Sequence, residues 1–453
     1  MKKIIAAILS AAMLITMAGC GNKSTSSGEE SSQTSDSDTN AAVGGYLTNP
    51  VKKNEDGSIN MEAALAYETD FEALKKELSE REVDLTLPVS LNARNNPNTM
   101  KVWEFLRGIY GKKIISAQQQ MDLNKTYEDK VYYNATEDLP AMKGFDFIFT
   151  TTGADGDHRE FVDAALEWGT TSGGLVTFAW HWNVPRDIDN PNLGKAFYMD
   201  QDGVKIENWD VSNATTPGTK EYEVVIHDID LIASYLQELE AAGITVLWRP
   251  YHEASGAWFW WGAQTEDKKN KTAADKYQRL WYLMFDRLEN YHKLSNLIWV
   301  WNGQAALLSV DPNSYDISGV DVYPSKEDHS PLASDYKKIK EYTHEGKMLA
   351  LTEVGYIPDP DQCLAENKMW LYYMPWNGEF IYEPVNKNSS APVTDFYGTP
   401  NPNPERITNE LLKQYFSSDA MFTWNDIPDA LGGEHETPQA IKLWLYNKNI
   451  AEG

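Results

Sequence analysis

The chain has 453 residues, 42% of them hydrophobic, with 40 basic against 67 acidic side chains and a formal net charge of -27. This is enough apolar material for one α/β barrel with extras or for two ordinary domains, so disorder of the whole chain is excluded, and the negative field argues against nucleic acid or an anionic membrane surface as a partner. Two cysteines, Cys20 and Cys363, can build neither a disulfide framework nor a thiolate metal cage.

In chain order, Lys2 and Lys3 precede an apolar stretch from Ile4 to Thr16, and Met17-Ala18-Gly19-Cys20 brings small residues up to a cysteine. Residues 1–20 resemble a bacterial lipoprotein signal in which Cys20 is lipidated; an ordinary signal peptide or an uncleaved anchor is the competing reading. The apolar stretch is shorter than the roughly 20 residues a spanning helix requires. The expected location is therefore the cell surface or outside, with the bacterial membrane reached only through lipid on Cys20. Residues 21–40 lack any large apolar side chain and read as a flexible tether. Residues 41–91 form an N-terminal extension in which Leu65, Phe71, Leu74 and Leu78 suit one face of a helix over 61–80, serving as packing or as a lid.

The main body, 92–453, alternates short apolar runs with amphipathic stretches. Predicted strands are Lys113 to Ser116, Phe145 to Phe149, Gly174 to Trp180, Ile244 to Trp248, Leu297 to Trp301, Ile317 to Tyr323, Met348 to Thr352 and Met369 to Met374. The clearest predicted helices are Asp228 to Ala242 and Ala273 to His292. Eight strands in this alternation predict a (β/α)8 TIM barrel; an open doubly wound sheet lacks its glycine-rich phosphate loop here.

In such a barrel chemistry collects where strands run out into loops. The fourth run ends Trp248-Arg249-Pro250-Tyr251-His252-Glu253 and the seventh ends Leu351-Thr352-Glu353. Two carboxylates across one mouth suit cleavage of a glycosidic bond, one protonated to assist the leaving oxygen and one ionised toward the anomeric carbon. Ala254 to Gly262 adds an aromatic cluster containing Trp258, Trp260 and Trp261, of a kind that packs on sugar faces or simply on the barrel wall. His181 and Trp182 follow the third run, Asn302 the fifth, Asp321 and Tyr323 belong to the sixth and Trp376 follows the eighth, putting polar and aromatic groups around the same mouth. The eight histidines form no HExxH or other close ligand pair, and a two-carboxylate mechanism needs no metal or cofactor.

The stretch WRPYHEASGAWFWWG at Trp248 to Gly262 resembles the acid/base motif of the glycoside hydrolase family 26 β-mannanases, and LTEVG at Leu351 to Gly355 resembles that family's nucleophile strand. GKKIISAQQ, PAMKGFD, GGLVTFAWHW, LIWVWN and GVDVYP are similar to further family segments in the same order, so the resemblance runs from about Asn92 to the C-terminus. It implies a retaining mechanism with Glu253 as acid/base and Glu353 as nucleophile. It also implies that His252 organises the acid/base side, Tyr323 hydrogen-bonds to the nucleophile, Trp258 sits on the leaving-group side and Trp376 lies under the sugar being cleaved. His181 is a candidate for substrate contact, and Arg249 either holds a carboxylate or is structural. The implied substrate is β-1,4-mannan, glucomannan or galactomannan cut internally; relatives with this pair cleave mixed-linkage β-glucan or β-1,3-xylan. Specificity is assigned to the long loops at 185–220 and 376–404. A non-catalytic glycan-binding lipoprotein is the alternative from another class.

Overall fold

The computed structural model describes residues 49–431, apart from 122, 124, 125, 152–157, 202, 263–270, 387, 388, 390, 396 and 397. The signal with Cys20, the tether, residues 41–48 and residues 432–453 lie outside the described residues.

Eight strands carry the fold: β1 (Ile114–Gln119), β2 (Met142–Asp146), β3 (Leu175–Ala179), β4 (Val246–Arg249), β5 (Leu297–Trp301), β6 (Ile317–Val322), β7 (Met348–Val354) and β8 (Tyr372–Pro375). Each pairs in parallel with the next, and β8 returns to β1 with Ile115 opposite Tyr372, so the sheet closes into a (β/α)8 barrel. Strands covered on both faces have no solvent side, which is why β1 to β5 are buried at every position.

The described helices before and around the barrel are α1 (Met61–Leu65), α2 (Phe71–Glu80), α3 (Pro97–Ile109), α4 (Tyr127–Thr136), α5 (Glu160–Thr171), α6 (Lys220–Ala241), α7 (Lys271–Asp286), α8 (Ala333–Tyr342), α9 (Pro360–Ala365), α10 (Asn409–Phe416) and α11 (Ile427–Leu431). Local chemistry sets their ends. Asn96 caps α3 with Pro97 at its first position, and Thr219 caps α6 by accepting from the Tyr222 N–H. Among the described residues, no helix is long and apolar enough to cross a membrane.

Four of the differences from the sequence reading have a local cause in the structure. The expected helix over 61–80 is two helices, because Asp70 starts a new one by accepting from the Ala73 N–H. The second strand lies three residues earlier than the apolar run Phe145 to Phe149: its buried polar residues Lys143 and Asp146 interrupt the apolar pattern of a true strand. Helix α6 begins eight residues before Asp228, since the buried acids Glu221, Asp228 and Asp230 break its apolar periodicity. Helix α7 gives way to a π-helical turn over Arg287–Tyr291.

The N-terminal extension is riveted to the face where strands begin. Val89 N–H donates to Asp316 just before β6 (2.8 Å), Ser90 Oγ donates to Glu289 (2.7 Å), Arg287 donates to the Ala64 carbonyl (2.9 Å) and Asn49 N–H donates to the His292 carbonyl (2.9 Å). These anchors lie opposite the mouth, so the described part of the extension is packing and not a lid.

Two irregularities shape the other end. The β6–β7 register shifts between Val320 and Asp321, and the β7–β8 register shifts between Leu351 and Val354. A bulge re-aims side chains. These shifts fall where Asp321, Thr352 and Glu353 leave the sheet.

Candidate active site

The loop after β4 is held in an uncommon conformation. Tyr251, Glu253 and Ala257 have φ of 53°, 52° and 60°, left-handed values that cost a non-glycine residue about 1 kcal/mol or more and persist only where neighbours enforce them. The neighbours are at hand. Trp261 Nε1 donates to the His252 carbonyl (2.8 Å), Trp260 Nε1 donates to the Trp182 carbonyl (2.7 Å), and Gly256 N–H donates to the Glu253 carbonyl (2.8 Å).

One carboxylate oxygen from each of Glu253, Asp321 and Glu353 lies within 4.8 Å of the other two. Glu353 is fixed on both oxygens: Arg249 Nη2 donates to Oε1 (2.7 Å) and the Tyr323 hydroxyl donates to Oε2 (2.5 Å). Arg249 also reaches Asp321 (3.2 Å), whose other oxygen accepts from Asn302 Nδ2 (2.8 Å) and Thr352 Oγ1 (2.5 Å). Three carboxylates this close could hold a divalent cation. Here the countercharge is built in, because the guanidinium of Arg249 bridges two of them.

Glu253 accepts from Trp258 Nε1 at 2.9 Å. Burial pushes its carboxyl well above the usual carboxylate range, and the charges of Asp321 and Glu353 push the same way. Burial and Glu353 also lift Asp321, to about 7. For Arg249, burial alone would lower the pKa, but Asp321 and Glu353 outweigh it and keep the guanidinium charged. Burial, His181 and Arg249 hold His252 well below the usual imidazole range, so it is neutral. One acid is thus biased toward its protonated form beside another clamped by a cation and a phenol. That asymmetry is what acid-assisted displacement requires.

The sequence-derived residues divide into those at the carboxylates and those behind them. Arg249, Tyr323 and Trp258 touch the two glutamates directly, and Asn302 accepts weakly from the Glu253 N–H (3.5 Å). His252 and His181 meet through their Nε2 atoms at 3.1 Å, and the His181 ring lies 5.6 Å from Trp376 in an edge-on arrangement. Trp182 is placed differently. It is 1% exposed, stacks on Trp180 at 3.8 Å and donates to Asp228, which puts it in the wall with Trp260 and Trp261 and not at the mouth.

Four residues of this neighbourhood are given no role by the sequence reading. Asp321 is placed there among the polar groups around the mouth, two positions before Tyr323 at the same strand exit. Thr352, adjoining Glu353, links Asp321 to β7. Asp146 accepts from both the backbone and the ring of His181. Tyr198, in the long loop after β3, bridges to Phe259 and lies within reach of both glutamates; burial raises its phenol and the two charges add to that. A lone loop tyrosine carries no signal in sequence.

Residues 91–400 match the family model for glycosyl hydrolase family 26. The chain is 33% identical over 349 residues to mannan endo-1,4-beta-mannosidase B of Piromyces sp, a match covering 75% of this chain and 54% of that one. It is 32% identical over 343 residues to mannan endo-1,4-beta-mannosidase of Thermothelomyces thermophilus, covering 74% and 63%. The crystal structure of a beta-mannanase from a symbiotic protist of the termite Reticulitermes speratus, complexed with gluco-manno-oligosaccharide, aligns with a TM-score of 0.61 and 28% identity over 76% of this chain and 98% of that one. This chain spans about half the length of the Piromyces relatives it matches.

Proposed function

The chain belongs to glycosyl hydrolase family 26, and we propose that it is a retaining endo-β-1,4-mannanase acting on mannan, glucomannan or galactomannan. The observation that carries the reaction type is the pairing of Glu253, held toward protonation, with Glu353, clamped by Arg249 and Tyr323, at an oxygen separation within 4.8 Å. An inverting enzyme needs about 6.5–9.5 Å between its carboxyl groups to admit the attacking water. In the proposed sequence Glu353 attacks the anomeric carbon while Glu253 gives its proton to the departing glycosidic oxygen, leaving a glycosyl ester. Water then attacks the anomeric carbon, Glu253 takes the water's proton, the bond from that carbon to Glu353 breaks, and Glu353 is released as carboxylate. Arg249 and the Tyr323 hydroxyl hold one oxygen each of the nucleophile.

The substrate rests on the mannanases among the relatives. Mixed-linkage β-glucan and β-1,3-xylan are the competing polymers, since the same pair would serve them. The test is product analysis on linear β-mannan, konjac glucomannan, mixed-linkage β-glucan and β-1,3-xylan, with Glu353→Gln alongside. Mixed manno-oligosaccharides early in the reaction, lost by about 10³-fold or more (roughly 4 kcal/mol) in the variant, are expected. Turnover of the glucan or xylan alone would overturn the substrate, and turnover of none would return the chain to the glycan-binding reading.

The proposal extends to location: a secreted bacterial lipoprotein, supported by the sequence pattern that ends at Cys20. Radiolabelled palmitate incorporation abolished by Cys20→Ala is the expected result, and unchanged incorporation would refute it.

A further inference from the structure

Behind the glutamates runs a chain of three polar side chains that the proposed double displacement leaves without a role. Asp146, the last residue of β2, is 1% exposed. Its Oδ1 accepts from the His181 backbone N–H (2.9 Å) and its Oδ2 faces His181 Nδ1 (2.5 Å). His181 Nε2 then meets His252 Nε2 at 3.1 Å. The far nitrogen of His252, Nδ1, is buried and has no hydrogen-bond partner among the described residues.

Donor and acceptor counting fixes the protons. An ionised carboxylate only accepts, so His181 Nδ1 must carry hydrogen. With His181 neutral, its Nε2 is a lone pair, and His252 Nε2 must then be the donor of the 3.1 Å contact. His252 is left with a bare Nδ1. The alternative needs a second proton on the buried His181 and leaves His252 with a buried, unpaired N–H at Nδ1.

We infer that Asp146 is a positioning residue: acting through His181, it fixes His252 as the Nε2–H tautomer, so that Nδ1 of the imidazole preceding Glu253 is a hydrogen-bond acceptor. The same link holds the His181 ring against Trp376, 5.6 Å away, and against Phe197 and Phe259 at 5.1 and 5.5 Å. One carboxylate thereby orders an imidazole next to the acid/base and the edge contact of the aromatic expected to lie under the sugar. The consequence for turnover rests on the proposed glycosidase reading; the tautomer assignment does not.

The experiment is long-range 1H–15N correlation on the full chain labelled at histidine, with resonances assigned by their loss in His181→Asn and His252→Asn. Hydrogen on His181 Nδ1 and on His252 Nε2 in the unaltered protein is the expected result; a hydrogen on His252 Nδ1 would overturn the inference without need of any variant at Asp146. Asp146→Asn can keep the bond from the His181 backbone only by turning its amide N–H toward the ring, which inverts both tautomers. A fall in kcat/KM of about 10- to 100-fold is expected with that inversion, the scale on which partners that orient a functional imidazole act. Unchanged tautomers in Asp146→Asn, or inverted tautomers with kcat/KM within twofold, would refute it. A protein that turns over no polysaccharide would sink the proposed function while the tautomers still decide the relay.

Discussion

Buried acids occur at both ends of this barrel, and they are handled in opposite ways. At the end where strands begin, Glu289 accepts from Ser90 Oγ (2.7 Å), Trp299 Nε1 (2.8 Å) and Asn92 Nδ2 (3.3 Å), and Asp316 accepts from the backbone N–H groups of Val89 and Trp299, both at 2.8 Å. Asp230 is gripped by both arms of Arg287 and by His292. Each carboxylate there joins the extension or a helix to the barrel through donors of its own. At the mouth, Asp321 and Glu353 divide one guanidinium, and Glu253 sits within reach of both without a cation of its own. Burial alone therefore does not mark an active acid. What marks it is convergence of like charges that the fold leaves incompletely neutralised, on a backbone bent into left-handed turns to bring them together.

Substitutions should separate the two ends, one changing rate and the other stability. Glu253→Gln is expected to cut kcat on polysaccharide by about 10²- to 10⁴-fold, with a much smaller loss on an aryl glycoside whose leaving group needs no proton; equal losses on both substrates would deny Glu253 the role of acid. At the opposite end, Arg287→Ala leaves Asp230 with His292 alone and frees the Ala64 carbonyl, so denaturant unfolding should show a loss of about 3–5 kcal/mol while kcat/KM of the folded protein holds. A kinetic defect there would mean that the two ends are coupled.

A milder effect concerns pH. Burial lifts Glu289 to about 7, above its ordinary value of 4.5. A raised carboxyl pKa means that the native state binds the proton more tightly, so the stability this group contributes is fully present below about 4.5 and is lost as pH rises through about 7. Comparing unfolding of the protein with that of Glu289→Gln should show their difference shifting in favour of the glutamate by about 1–3 kcal/mol from pH 8 to pH 5; a pH-independent difference would contradict it. The smallest change is Gly256→Ala. A Cβ there would lie 2.2 Å from the Trp258 ring, so the indole must move and its bond to Glu253 weaken. Since that bond lowers the Glu253 pKa, its loss should move the alkaline limb of the kcat/KM profile to higher pH and reduce kcat/KM by about three- to tenfold.

The barrel was legible because apolar runs recur with helical stretches between them, and Glu253 and Glu353 were legible because each terminates such a run. The second strand was misplaced for a physical reason. Lys143 and Asp146 point into partners, Asp129 and His181, that sequence does not reveal, so the true strand looked less apolar than the residues after it. Helix α6 hid its first two turns for the same reason, with Asp228 pairing to Trp182 and Asp230 to Arg287. Trp182 was drawn toward the mouth by its position after a strand, yet an indole that can stack on Trp180 and give its N–H to a buried acid is satisfied in the wall. Relations between distant residues, the shared guanidinium of Arg249 and the relay from Asp146, have no linear signature.

The described chain enters at Asn49, pinned to His292 on the side where the strands begin. That point lies at the opposite end of the barrel from Glu253 and Glu353, so the described extension joins the body without crossing the mouth.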